Sequence, residues 1–272
     1  MRRSRHTTRL AITTVAAAVG LALAGCGGDD GGSVAVDGGG DIALVKAGVL
    51  TTCTHLPYPP FQSAEGDKVV GFDVDVIDLV AKKLGVTQEV TDTPFETIKT
   101  GADLNAGKCD VAAAGMTITD ERKQNLDFSV PYFDATQALL AKKGSGITDI
   151  ASAKGKKMGS QSATTGEDFV KKEGFDPVSF ETSDAELNGL KSGQVDVLVQ
   201  DLPVVSEWLK DPANSEFEIV GDLDTGEQYG FAVKKDRGDD LLKTIDGVIE
   251  QAKSDGTYDE LYAKWIGTKS AG

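Results

Sequence analysis

Apolar and polar positions along this chain fall into two recurring patterns: short unbroken apolar runs, and segments with an apolar residue every third or fourth place. Their alternation predicts an α/β fold. Val49–Thr54 reads as a buried strand. Val76, Ile77, Val80 and Leu84 share one helical face, with Asp73 placed to cap that helix and Gly85 to end it. Phe95 precedes a helical segment closed by Gly107, and residues 109–115 form the next buried strand. Residues 156–160 begin another. Thr164-Thr-Gly-Glu167 and Ser183-Asp-Ala-Glu186 both have capping-box spacing. The tail reads as an amphipathic helix over 239–253, then Thr257-Tyr-Asp-Glu260 and an aromatic finish at Tyr262 and Trp265.

One pattern occurs twice. Leu104-Asn-Ala-Gly107-Lys-Cys-Asp110-Val111 is echoed by Leu190-Lys-Ser-Gly193-Gln-Val-Asp196-Val197. Each copy reads as a helix ending at glycine, a tight turn and a buried strand. The first strand runs out into Gly115 and Thr117, the second into Gln200 and Asp201. Ligands of open α/β sheets collect at the carboxyl ends of strands. Two half-size lobes with polar strand ends therefore describe a cleft between domains; a single larger sheet is the plainer alternative.

The ends and the composition narrow the setting. Arg2, Arg3, Arg5 and Arg9 precede an apolar stretch over residues 10–23, and then Leu23-Ala-Gly-Cys26. That stretch is short for a bilayer span, which needs about 20 apolar residues. Residues 1–25 read as an export signal cleaved before Cys26, whose sulfur takes a lipid. The glycine-rich stretch after it reads as a flexible tether over 26–45, with the folded part beginning near Lys46. Without the leader the 43 acids face 24 bases, a charge near −19 that repels nucleic acid and anionic lipid surfaces. Cys53 and Cys109 remain for a disulfide in an oxidising compartment, or for two buried thiols.

Ala114-Gly-Met-Thr-Ile-Thr-Asp-Glu-Arg-Lys123 is where candidate chemistry concentrates. Gly115 permits close approach, Thr117 supplies a hydroxyl and Thr119 has the character of a helix N-cap. Arg122 supplies a planar fork for a carboxylate. A strand followed by a capped surface helix with an ordinary arginine is the bland equivalent. Asp201 ends the apolar run Val197-Leu-Val-Gln-Asp201, where an unpaired carboxylate is costly. Facing Arg122, it could hold an α-ammonium; Pro203 nearby also allows a simple helix N-cap.

With these motifs in order, the chain resembles the family 3 bacterial solute-binding proteins, the polar amino acid-binding lipoproteins of ABC importers. The resemblance rests on Thr54-His-Leu-Pro-Tyr-Pro-Pro-Phe61, Val70-Gly-Phe-Asp-Val-Asp75, Gly115-Met-Thr-Ile-Thr-Asp-Glu-Arg122, Asp127-Phe-Ser129, Gln161-Ser-Ala-Thr-Thr-Gly166, Gln200-Asp201, Tyr229-Gly-Phe-Ala-Val233 and Asp255-Gly-Thr-Tyr-Asp-Glu-Leu-Tyr262. It implies a two-lobed periplasmic-binding-protein-like fold of type II. Lobe 1 would take 46–134 plus 230–272 and lobe 2 would take 135–229, with hinge strands near 133–137 and 225–229.

It also implies roles. The α-carboxylate site falls on Gly115, Thr117, Arg122 and Thr165, and the α-ammonium site on Asp201, Gly115 and Thr117. Side-chain walls fall on His55, Tyr58, Phe95, Gln161 and Gln200. Ala163 stands where the family usually has glycine. Relatives that take cationic ligands usually carry an acid at the place of His55, so glutamine or asparagine is favoured, with glutamate or aspartate if His55 is protonated. The implied partners are a free amino acid and the permease of an ABC importer, on the extracytoplasmic face of the membrane; the chain is expected to be a lipid-anchored monomer. No cofactor, metal, nucleic acid or catalytic residue is expected, since only His55 remains for a triad and no His/Cys grouping has zinc spacing. A cyclohexadienyl dehydratase-like enzyme on this scaffold and a ligand-sensing receptor domain are the alternatives.

Overall fold

The computed structural model describes residues 31–35 and 40–267. The leader and Cys26 lie outside them. An N-terminal ribbon of β1 (Gly32–Ala35) and β2 (Asp41–Leu44) leads into β3 (Val49–Thr54) and the small hairpin β4 (Ser63–Glu65) and β5 (Lys68–Val70). Helix α1 (Phe72–Leu84), β6 (Thr87–Asp92), short helices α2 (Phe95–Lys99) and α3 (Ala102–Asn105), β7 (Val111–Ala112) and β8 (Leu126–Phe128) follow. Next come β9 (Phe133–Lys142), β10 (Met158–Gln161), α4 (Thr165–Lys172), β11 (Val178–Phe180), α5 (Ser183–Lys191), β12 (Val197–Asp201) and α6 (Leu202–Trp208). The chain returns through β13 (Phe217–Tyr229) to β14 (Ala232–Lys234), α7 (Leu241–Asp255) and α8 (Thr257–Trp265).

These strands make two five-stranded sheets, ordered β6-β3-β7-β14-β8 and β11-β10-β12-β9-β13. β3 runs parallel to β6 and β7, and β10 parallel to β11 and β12. Each parallel set thus aims its carboxyl ends at one edge. β9 and β13 pair antiparallel from Phe133↔Tyr229 to Phe217↔Lys142, and β13 then feeds β14 of the other sheet. That ribbon joins the two lobes of a type II fold.

The sequence echo is a structural one. Gly107 and Gly193 adopt φ of 68° and 73°, the left-handed turn each helix end requires. Asp110 N–H donates to Thr51 O and Asp196 N–H to Lys157 O, both at 2.8 Å. Each aspartate carboxylate accepts in turn from a backbone N–H at the start of the adjacent strand: Thr51 N–H for Asp110 and Lys157 N–H for Asp196. The same hydrogen-bonded corner launches β7 in one lobe and β12 in the other. Cys53 and Cys109 form a disulfide with Cα atoms 5.6 Å apart, tying the turn before β7 to β3.

Several local expectations are corrected. The proposed tether over 26–45 is folded in part: β2 pairs with β1, and Ile42 and Leu44 are buried in the main core. Asp73 does not cap α1; Gly71 holds the cap position, and the buried Asp73 carboxylate crosses to another segment instead. The strand expected over 109–115 is regular only at Val111–Ala112. Thr119 is not an N-cap: Glu121 holds that position of a single 3-10 turn, Arg122–Gln124, too short to carry much of a helix dipole, and Thr119 Oγ1 accepts the Arg122 N–H at 3.1 Å. The α5 cap is Thr182 rather than Ser183, because Ser183 Oγ donates to Pro57 O of the other lobe.

An aromatic cluster packs where the ribbon meets the first lobe. Phe61 meets Phe133 and Tyr229 edge-on at 5.0 and 5.1 Å, and Tyr132 stacks on Phe231 at 4.0 Å. Such pairs contribute about 0.5–1.5 kcal/mol each beyond their buried area. They hold Tyr229, and through Phe61 the neighbouring Tyr58, rigidly beside the cleft.

Candidate functional site

The ends of β3, β7, β10 and β12 meet across the gap between the lobes, around a small, tightly closed cavity. His55, Tyr58, Phe95, Gly115, Thr117 and Arg122 line it from the first lobe. Gln161, Thr165 and Asp201 line it from the second. Gln200 lies one step behind, its Oε1 2.9 Å from the Tyr58 hydroxyl. Gln62, Ala114 and Thr164 complete the lining and were not among the expected ligand contacts.

Gly115 is required by its surroundings. It adopts φ of 55°, and a Cβ there would sit 2.9 Å from the Tyr58 ring. Its N–H already donates to Asp73 Oδ2 at 2.8 Å, so toward a ligand this residue offers its carbonyl and open space rather than an amide donor. Tyr132 Oη donates to the other Asp73 oxygen at 2.7 Å. Burial nonetheless pushes the Asp73 carboxyl up to about 7, against the pull of both hydrogen bonds.

Arg122 is 6 % exposed, and among the described residues its guanidinium meets no carboxylate at ion-pair distance. Its two hydrogen bonds go to carbonyls, Thr117 O at 2.8 Å in its own lobe and Ala163 O at 3.3 Å in the other. The Phe95 ring lies under it at 5.3 Å. Burial pulls its pKa down from the ordinary arginine value, while Glu227, Asp168 and Asp201 act in the opposite sense. A buried cation with N–H groups to spare, facing a cavity, has the chemistry to take an anion. Ala163 keeps the left-handed backbone of a glycine, with φ of 67°; its N–H donates to Glu167 Oε2 at 3.1 Å.

Asp201 faces the same cavity. Its Oδ2 accepts from Tyr58 Oη at 2.5 Å and from Tyr229 Oη, and its Oδ1 accepts from Gln137 Nε2 at 2.5 Å. Burial pushes its carboxyl up to about 6 against those hydrogen bonds. Burial first, then the Asp201 charge, pushes both tyrosines well above their ordinary value, so they stay protonated donors. Although Asp201 stands at the N-cap position of α6, its side chain makes no cap bond.

At the other end of the cavity two polar side chains, His55 and Gln200, are already committed. His55 Nδ1 lies 2.9 Å from Thr93 O and Nε2 3.0 Å from Glu181 O, so both ring nitrogens face carbonyls and not the cavity. The ring therefore serves as a wall and as a contact between lobes. Gln200 Nε2 donates to the fully buried Glu186 at 2.7 Å, and burial pushes that carboxyl well above its ordinary value.

Gln137, Tyr229 and Glu227, which sit among the polar groups of the cleft, were not singled out by sequence. All three fall within stretches expected as hinge strands, where alternation of buried and exposed positions was the available signal. Among the described residues no His, Cys, Asp and Glu grouping could hold a metal ion.

Comparison with known proteins places this architecture. Residues 50–268 match the model of the bacterial extracellular solute-binding proteins, family 3. The chain is 32% identical over 264 residues to the ABC transporter glutamine-binding protein GlnH of Bacillus subtilis (strain 168), covering 94% of this chain and 96% of that one. It is 30% identical to the putative ABC transporter arginine-binding protein 2 of Escherichia coli (strain K12), covering 84% and 95%. A solved ancestral arginine-binding protein bound to glutamine superposes with a TM-score of 0.76 at 43% identity, covering 81% of this chain and 98% of that one. With two sheets, a joining ribbon and this match over most of its length, the chain belongs to the family 3 bacterial extracellular solute-binding proteins.

Proposed function

We propose that this chain captures a polar amino acid between its lobes and delivers it to an ABC importer at the extracytoplasmic face of the membrane, anchored by lipid on Cys26. The observation that carries the proposal is the pairing of Arg122 and Asp201, an unpaired cation and an acid from different lobes, on one cavity. Arg122 takes the α-carboxylate, assisted by the Thr165 main-chain N–H, and Asp201 takes the α-ammonium, assisted by the Gly115 carbonyl and the Thr117 hydroxyl. The first lobe is taken as residues 46–134 plus 230–272 with the N-terminal ribbon added, and the second as residues 135–229.

Glutamine or asparagine is the proposed ligand ahead of glutamate or aspartate. Gln161 and Gln62 offer amide groups around the side-chain end, and among the described residues no lysine or second arginine lines the cavity to balance a side-chain carboxylate. Tyr58 and Phe95 flank the alkyl stem. The role is capture, not turnover.

A thermal-shift screen against the twenty amino acids tests this, since a ligand that binds only the folded state stabilises it by mass action. The largest shift is expected with glutamine. No shift with any of the twenty would overturn the proposal.

A further inference from the structure

Glu227 sits in the cleft and has no role in the proposed capture. It lies on β13, directly after an irregularity in the pairing of that strand with β9: Leu223 pairs with Gln137, but Glu227, not Thr225, pairs with Ala135. Such bulges re-aim a side chain. Here Glu227 Oε2 accepts from Thr117 Oγ1 at 3.0 Å, Thr165 Oγ1 at 2.9 Å and Gln137 Nε2 at 3.2 Å. The two threonines belong to different lobes and lie 3.5 Å apart. One oxygen thus joins the first lobe, the second lobe and the ribbon between them.

Proton counting gives this contact a consequence. A hydroxyl has one proton and two lone pairs. Spent on Glu227, the protons of Thr117 and Thr165 are not available to a ligand carboxylate, and the hydroxyls turn lone pairs outward. Gln137 uses its second N–H on Asp201, so the two acids are linked through one amide and stand at the same pole.

We propose that Glu227 is a positioning residue: it fixes the Thr117 and Thr165 hydroxyls as acceptors for a ligand's ammonium, and through them holds the lobes together. The first half rests on the amino acid-capture reading; the second does not. The carboxylate of the ligand is then left to Arg122 and main-chain N–H groups.

The test compares Glu227→Ala and Glu227→Gln with the unaltered protein in two ways. Calorimetry measures binding of L-glutamine and L-arginine against glutaramate and 5-guanidinovalerate, the same molecules without the α-amino group. Small-angle scattering measures the ligand-free radius of gyration. Removing the carboxylate frees the hydroxyl protons, so Glu227→Ala is expected to cut the preference for the amino acid over its des-amino analogue by about tenfold. It is also expected to open the ligand-free protein. A loss shared equally by both members of a pair would overturn the ammonium role, which an unspecific loosening of the fold would also produce. If only another amino acid binds, it and its des-amino analogue replace the pairs. If the unaltered protein binds neither these probes nor any of the twenty amino acids of the thermal-shift screen, the capture reading falls and the ammonium role with it. The latch then stands on scattering alone: an opened Glu227→Ala protein supports it, and an unchanged radius overturns it. If Glu227→Ala does not fold, Glu227→Gln is read by the same two outcomes.

Discussion

The Asp73 carboxylate accepts the Gly115 N–H at 2.8 Å, so a residue in the first turn of α1 holds the loop that floors the cleft. Its second oxygen takes the Tyr132 hydroxyl, one residue before the joining ribbon begins. Removing it strands two buried donors. Asp73→Ala is therefore expected to lower stability by about 2–4 kcal/mol in urea unfolding, and Asp73→Asn, which keeps one acceptor, by less than half of that.

The same carboxyl makes stability pH-dependent. Its folded-state pKa, about 7, lies above the usual carboxylate value, so the folded state holds the proton that the unfolded state releases. Its contribution is complete at acid pH and is lost as pH rises toward and through 7. Relative to Asp73→Asn, the unaltered protein should lose stability between about pH 4 and 7 and level off above. Urea midpoints of the two proteins that stay parallel across this range would contradict the assignment.

Asp201 gives a pH dependence of binding with the opposite sense. An ammonium needs the ionised carboxylate, and burial pushes this group up to about 6 in the ligand-free protein. Amino acid affinity should hold steady above that pH and fall by up to about tenfold per unit below it. Asp201→Asn should bind weakly at every pH, and its profile between pH 4.5 and 8 should be flat. A des-amino analogue should show neither effect.

Ala163 carries strain that can be relieved. An L residue in the left-handed region costs about 1–2 kcal/mol relative to glycine, part of which is offset by glycine's greater unfolded-state entropy. Ala163→Gly is expected to stabilise the protein by roughly 0.5–1 kcal/mol while leaving the Arg122 contact to the residue 163 carbonyl in place. Loss of stability on thermal unfolding would count against the strained geometry.

Much of this fold was legible because its signals are local. The apolar runs of β3 and β12, the Gly85 stop and the paired Gly107 and Gly193 turns are set by short-range sterics and periodicity. What escaped depends on partners far away in the chain. Asp73 has the sequence context of a cap, and only the approach of Gly115, 42 residues on, draws its side chain elsewhere. Glu227 stands in an alternating, charged stretch expected only as a hinge strand, and its inward turn depends on a pairing shift against β9. Glu186 has capping-box spacing, yet its carboxylate goes to Gln200 in the core. Ile42 and Leu44 look too sparse to fold after so many glycines, but β3 and α7 supply the rest of that core.

Calorimetry on Arg122→Ala with L-glutamine, or with whichever amino acid gives the largest thermal shift, tests the central claim most directly. If Arg122 neutralises the ligand's carboxylate inside the closed cleft, its removal leaves that charge buried without a partner, at a cost of about 3–5 kcal/mol. The predicted result is an affinity at least about 100-fold weaker, with Asp201→Asn showing a comparable loss. An Arg122→Ala protein that folds and binds within about fivefold of the original would contradict it.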